Sequence, residues 1–155
     1  YAFEKGRGLV VAVNKWDLVK GNTEKKEQLE RGIQRQLKFI AFAPRINLSA
    51  LTGERVIKLF SRIDSVYDQF SRRISTALVN RAIQEVIEKH PPPRIGRGRL
   101  KFYYATQTRT KPPTFTVFVN RPDMLHFSYE RFLNNQLRVH LGLTRTAIKL
   151  LFRER

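Results

Sequence analysis

Residues Gly8 to Val13 (GLVVAV) form an unbroken apolar run rich in valine, and the polar turn Asn14-Lys15-Trp16-Asp17 follows at once. A run without alternation has no solvent face, so it predicts a strand covered on both sides, as in a parallel sheet. A parallel neighbour requires a crossover. From Thr23 to Ile40 the apolar positions Leu29, Ile33, Leu37 and Ile40 recur at helical spacing, and Glu24 and Glu27 lie near the positive end of the helix dipole. Arg45 to Leu48 reads as a second short strand closed by Ser49-Ala50-Leu51-Thr52-Gly53. Glu54 to Phe70 resumes helical spacing through Val56, Phe60, Ile63, Tyr67 and Phe70. Strand, helix, strand, helix predicts parallel pairing with right-handed crossovers.

The pattern changes between Phe70 and Ser75, where Ser71, Arg72 and Arg73 read as a basic linker and Ser75 or Thr76 can cap a following helix. This places a domain boundary there, dividing the chain into residues 1–70 and 71–155. In the second part, Leu78, Ala82, Ile83, Val86 and Ile87 predict a helix over 77–89, which Pro91-Pro92-Pro93 stops. The basic, glycine-punctuated stretch 94–99 follows as a loop. Residues 100–106 and 114–120 are aromatic and β-branched, and predict an antiparallel pair joined across Pro112-Pro113. Ser128 is expected to cap a helix carrying Phe132, Leu133, Leu137 and Leu141, with Gly142 just past its end, and 147–152 reads as a last strand. The fold class is therefore α/β in the first part and α+β, in the order α-β-β-α-β, in the second.

Charge narrows the partners. The chain holds 30 Lys and Arg against 13 Asp and Glu, a formal charge of +17. Residues 1–70 carry 13 basic and 8 acidic side chains, whereas 71–155 carry 17 and 5, so the excess sits in the second part. Such a field draws polyanions by counterion release: nucleic acid is the usual partner, with an anionic membrane surface or an acidic protein as alternatives that charge alone does not separate. The chain has no cysteine, which excludes a disulfide frame, a thiolate metal site and thiol catalysis. His90, His126 and His140 lie on different predicted elements without ligand spacing, so no metal site is expected. Apolar runs fall far short of the ~20 residues of a membrane helix, and a soluble, cytoplasmic chain without a membrane partner is expected. Tyr103, Tyr104, Phe115 and Phe118 could stack on bases, but strand alternation turns half of them inward and favours core packing.

The chemistry concentrates in two turns that leave the ends of the two predicted parallel strands and would face one crevice at the sheet's carboxyl edge. A carboxylate at Asp17 can accept two hydrogen bonds from paired N–H donors, which guanine presents and adenine does not. Lys15 can lay its stem along a base face, Asn14 can tie the two loops together, and the Ala50 N–H can donate to a purine carbonyl. Trp16 is expected to pack.

Asn14-Lys15-Trp16-Asp17 and Ser49-Ala50-Leu51 resemble the NKxD and SA(L/K) motifs of translation-factor-type GTPases. The resemblance makes Asn14, Lys15, Asp17, Ser49, Ala50 and Leu51 the guanine-binding residues for GTP or GDP. Leu100 to Gln107 (LKFYYATQ), Lys111 to Asn120 (KPPTFTVFVN) and Phe127 to Leu133 (FSYERFL) resemble the C-terminal KH-like domain of the Der, or EngA, family. These are bacterial GTPases with two tandem GTPase domains that act in assembly of the large ribosomal subunit. Residues 1–70 then correspond to the end of a P-loop GTPase domain and 71–155 to the KH-like domain. The implied partners are the large ribosomal subunit, its rRNA and upstream GTPase domains of the same protein.

Two departures shape what the resemblance implies. The chain has no GxxxxGK[ST] loop and no DxxG element, so by itself it is not expected to hydrolyse GTP, and Mg²⁺ would enter only through upstream sequence. A sheet lacking its earlier strands is expected to leave the flank of the Gly8–Val13 strand open. The second part also lacks the GxxG loop with which ordinary KH domains clamp RNA. RNA binding would therefore rest on phosphate contacts, with Arg94, Arg97, Arg99, Lys101, Arg109 and Lys111 as candidates. The alternative is an internal scaffold between GTPase domains that never touches RNA.

Overall fold

The computed structural model describes residues 1–2, 4–93 and 99–155. Two sheets organise the described residues. In the first, β1 (Val11–Val13) pairs in parallel with β2 (Arg45–Asn47), and the crossover is α1 (Thr23–Gln36). The first strand is shorter than the predicted run Gly8–Val13. Its Val11 N–H donates to the Pro44 carbonyl at 2.9 Å, and Pro44 has no N–H with which to carry the ladder further back. The predicted helix to Ile40 likewise divides: α1 ends at Gln36, and Lys38–Ile40 is a tighter 3₁₀ turn. Asn22 caps α1, its Oδ1 accepting from the Lys25 N–H at 2.9 Å.

Helix α2 (Val56–Ser71) leads out of the first sheet. Val66 is buried, and the opposite stripe of Ile57, Phe60 and Tyr67 is exposed. Between α2 and the open flank of β1 lies an apolar crevice of about 490 Å³ lined by Val10, Ala12, Leu59, Ile63 and Phe70 among others.

The second sheet takes the predicted order. Helix α3 (Thr76–Lys89), strands β3 (Phe102–Arg109) and β4 (Thr114–Val119), helix α4 (Phe127–His140) and strand β5 (Lys149–Glu154) follow in sequence. β4 is central, antiparallel to β3 and parallel to β5. Ser75 caps α3, as predicted, accepting from the Leu78 N–H. Helix α4 departs from prediction: it starts at Phe127, and its cap is His126, whose Nδ1 accepts from the Ser128 N–H at 3.3 Å. Ser128 instead turns its hydroxyl to the same imidazole. Gly142 follows α4 with φ at +65°, the left-handed conformation that a glycine adopts without Cβ strain.

The main core lies between this sheet and its two helices. Val79, Ala82, Ile83 and Val86 from α3 and Leu133 and Leu137 from α4 meet Ala105, Phe115, Val117, Val119 and Leu150 of the strands. Helices cover one face only. Tyr104 and Phe118 stack at 4.4 Å on the other, and a bulge between Phe102 and Tyr104 leaves Tyr103 and Tyr104 both exposed. Of the four aromatics read from the sequence, Phe115 alone is fully buried.

β3 is a sheet edge, yet its backbone is not left bare. The Asn80 side chain accepts from the Ala105 N–H at 2.8 Å and donates to the Ala105 carbonyl at 2.9 Å, blunting the edge with a side-chain amide.

Candidate guanine and nucleic-acid sites

Parallel pairing of β1 and β2 puts the turns Asn14–Asp17 and Ser49–Leu51 side by side. Backbone bonds carry the alignment past the strands: the Leu48 N–H donates to the Val13 carbonyl, and the Trp16 N–H donates to the Leu48 carbonyl at 3.0 Å. Asn14 Oδ1 then accepts from both the Lys15 N–H at 2.7 Å and the Ala50 N–H at 2.9 Å. One side-chain oxygen thus ties the loops. The Ala50 N–H is engaged in that tie, so it meets a purine carbonyl only by sharing or exchanging the bond. Lys20 Nζ reaches Glu54 Oε2 at 3.3 Å and closes the rim between the same two turns.

Each remaining residue has a distinct setting. Lys15 holds a left-handed backbone, φ +60°, and stays exposed ahead of the short turn Trp16–Val19. Trp16 is buried, in keeping with a packing role. Ser49 is fully buried, its Oγ accepting from the Thr52 N–H at 3.2 Å and its N–H donating to the Glu54 carbonyl. Leu51 is exposed. Asp17 Oδ1 is buried and has no hydrogen-bond partner among the described residues. A buried carboxylate oxygen without a donor is costly, and it suits a ligand that brings paired N–H groups.

The basic positions singled out in the second part do not gather. Arg94 and Arg97 lie outside the described residues. Arg99 and Lys101 are exposed at the entry of β3, where Asn120 clamps the chain by donating to the Arg99 carbonyl and accepting from the Lys101 N–H. Arg109 ends the same strand, eight residues beyond Lys101, or about 26 Å at ~3.3 Å per residue. Lys111 faces the first sheet's helix: its ammonium lies 4.6 Å from the Tyr67 ring centroid, and its N–H donates to the Phe70 carbonyl at 3.0 Å.

Sequence reading missed the side chains that join the two parts. Buried Gln107 bonds the linker at Arg72 and Ile74. Gln69 Oε1 accepts from the Arg145 N–H at 2.7 Å, and the Arg138 guanidinium lies 4.8 Å from the Phe42 ring centroid. Burial lowers the Arg138 pKa. These contacts span up to 96 positions in sequence, and no local periodicity announces them.

Residues 73–153 match the family model for the C-terminal KH-domain-like region of EngA bacterial GTPase enzymes, a match over more than half of the chain. The chain belongs to this family. Its relatives include GTPase Der of Clostridium tetani (strain Massachusetts / E88), 46% identical over 155 residues. GTPase Der of Geotalea daltonii (strain DSM 22248 / JCM 15807 / FRC-32) is 44% identical over 155 residues, and that of Syntrophobacter fumaroxidans (strain DSM 10017 / MPOB) 42% over 156. Each alignment covers 100% of this chain and 35% of the relative. The chain thus spans about a third of the length of these curated relatives. Among the described residues no helix is long and apolar enough to cross a membrane.

Proposed function

We propose that residues 1–70 supply guanine recognition to a ribosome-assembly GTPase and that residues 71–155 form its KH-like docking domain. The observation that carries the first half is the buried, donorless Oδ1 of Asp17 beside loops already tied by Asn14 and Ala50. Asp17 would accept the N1 and N2 hydrogens of guanine, Lys15 would flank the base, and Asn14, Ser49 and Ala50 would hold the loop that faces it. GTP supplies the phosphoanhydride whose cleavage drives such proteins. This chain contains no phosphate-binding loop, so its own residues read the base and do not perform the cleavage.

The apolar crevice between β1 and α2 is where the preceding part of a GTPase domain would pack. The second half of the proposal rests on charge: 17 basic against 5 acidic side chains in 71–155 favour rRNA of the large subunit as the partner, in the cytoplasm. The scaffold reading competes for the same region, since Lys111 is occupied by Tyr67 and Phe70.

Amide NMR of the purified chain titrated with GDP and with ADP tests the guanine site. GDP is expected to shift the Lys15, Ala50 and Leu51 amides and the Trp16 signals, while ADP leaves them in place; equal responses would remove the guanine assignment. Binding to isolated large ribosomal subunits across a salt series, with Arg99, Lys101 and Arg109 changed to alanine, tests docking. Binding that weakens with salt and falls in the variant supports it, and no binding at low salt assigns the domain to the scaffold class.

A further inference from the structure

A cluster of positive charge lies outside both sites. Between the free edge of β2 and one face of α2 runs a crevice of about 360 Å³ lined by Arg45, Asn47, Arg55, Lys58, Ser61 and Arg62. Among the described residues β2 pairs only with β1, and its other edge borders this crevice. Lys58 and Arg62 share a helix face by their spacing of four, Arg55 stands at the N-cap just ahead of α2, and Arg45 joins them from the strand.

The carboxylates nearby are already engaged. Glu30 pairs with Arg45 and also accepts from Asn47 Nδ2 at 3.2 Å; Glu54 pairs with Arg55 at 3.7 Å and with Lys20. Neither lines the crevice. Among the described residues Lys58 and Arg62 form no ion pair, although they sit one helical turn apart with the same sign, an arrangement that by itself opposes the helix. An anionic ligand would reverse that penalty.

The chemistry of the lining selects the anion. Of the two cations without a carboxylate partner among the described residues, Arg62 is a guanidinium group, whose planar fork matches phosphate oxygens. Lys58 and Arg62 are separated by a rise of about 6 Å along α2, at ~1.5 Å per residue, so they can meet successive phosphates of one strand. Polar groups dominate the crevice. Aromatic anchors and deep apolar pockets, which centre protein–protein interfaces, do not line it. We infer that the β2–α2 crevice is a second RNA-backbone anchor, on the GTPase part of the chain and separate from the KH-like domain. It shares with the proposed function only the premise that the partner is RNA.

The test uses the full chain and two probes, isolated large ribosomal subunits and a fluorescein-labelled RNA hairpin, each across a salt series. The double variant Lys58→Ala/Arg62→Ala is expected to weaken binding severalfold and to reduce the salt slope by about 1.4 to 1.8, two phosphate contacts' worth. Both positions are exposed and their like charges oppose the helix, so the alanine variant should unfold at or slightly above the parent's temperature; Lys58→Glu/Arg62→Glu should weaken binding further. Wild-type affinity and slope in both variants would overturn the inference. If the Arg99, Lys101 and Arg109 variant loses binding in that same experiment, the docking proposal stands without the crevice. Loss confined to the crevice variants supports the inference and removes the KH-like domain as the anchor. A wild-type chain that binds polyglutamate through Lys58 and Arg62 but neither RNA probe overturns it in favour of an acidic protein partner.

Discussion

Gln107 Oε1 accepts the Ile74 N–H at 2.6 Å, so a side chain near the end of β3 holds the linker that enters α3. Its Nε2 donates to the carbonyls of Arg72 at 2.9 Å and Arg109 at 3.2 Å, and the residue is 2% exposed. Replacing Gln107 with alanine would strand three backbone groups that it now satisfies. We expect a loss of about 1–3 kcal/mol in chemical denaturation. A variant as stable as the parent would mean that water takes over these bonds.

Asp17→Asn tests base selection through the same chemistry that proposes it. The carboxamide presents one acceptor and one donor in place of two acceptors, which mismatches guanine and suits xanthine. GDP binding is expected to weaken by about 1.5–3 kcal/mol, ten- to a hundredfold, with xanthosine diphosphate gaining relative to GDP. Calorimetric titration of both nucleotides checks this, and an unchanged preference would move base reading away from Asp17.

Tyr129 ties pH to stability. Its hydroxyl donates to the His90 carbonyl at 2.8 Å, and burial pushes its pKa up from 10.0 to about 12. The folded chain therefore favours the neutral phenol. That contribution is fully present below about pH 10 and is lost as pH rises through about 12. In a tyrosinate absorbance titration, one of the five tyrosines should ionise last, and Tyr129→Phe should abolish that late step. Urea midpoints of the parent should fall more steeply across this window than those of the variant.

Packing predicts a sharp asymmetry between the two parts. Leu133 is 0% exposed in the core under β4, whereas Phe60 is 62% exposed on α2. Leu133→Ala should cost about 2–5 kcal/mol, through lost burial and a cavity. Phe60→Ala in this chain should stay within about 0.5 kcal/mol, as other exposed substitutions do. Equal losses in denaturation would show that the α2 stripe is covered in solution, by a second chain for example.

Local chemistry made much of this legible. Period-3.6 spacing announced α1, α2, α3 and α4, because each buries or half-buries one stripe. Valine-rich and aromatic runs announced β1, β3 and β4, and Ser75 and Gly142 marked helix ends by well-understood backbone chemistry. The ends of β1 and α4 were not legible. A strand's length depends on its partner, here on Pro44, and an imidazole at His126 displaced the hydroxyl at Ser128 as the cap.

The sequence by itself determined the order of elements, the two polar turns after parallel strands, the family and the sign of the charge, all of which reside in neighbouring residues. Tertiary structure decided what those residues meet. It engaged the Ala50 N–H with Asn14, left Asp17 Oδ1 without a donor, and divided the basic positions of 71–155 between the two ends of β3. It also turned Lys111 toward Tyr67 and brought Arg45 beside Lys58 and Arg62. Hydrogen bonds and charge clusters form between groups that chain folding makes adjacent, and spacing along the chain carries no record of that adjacency.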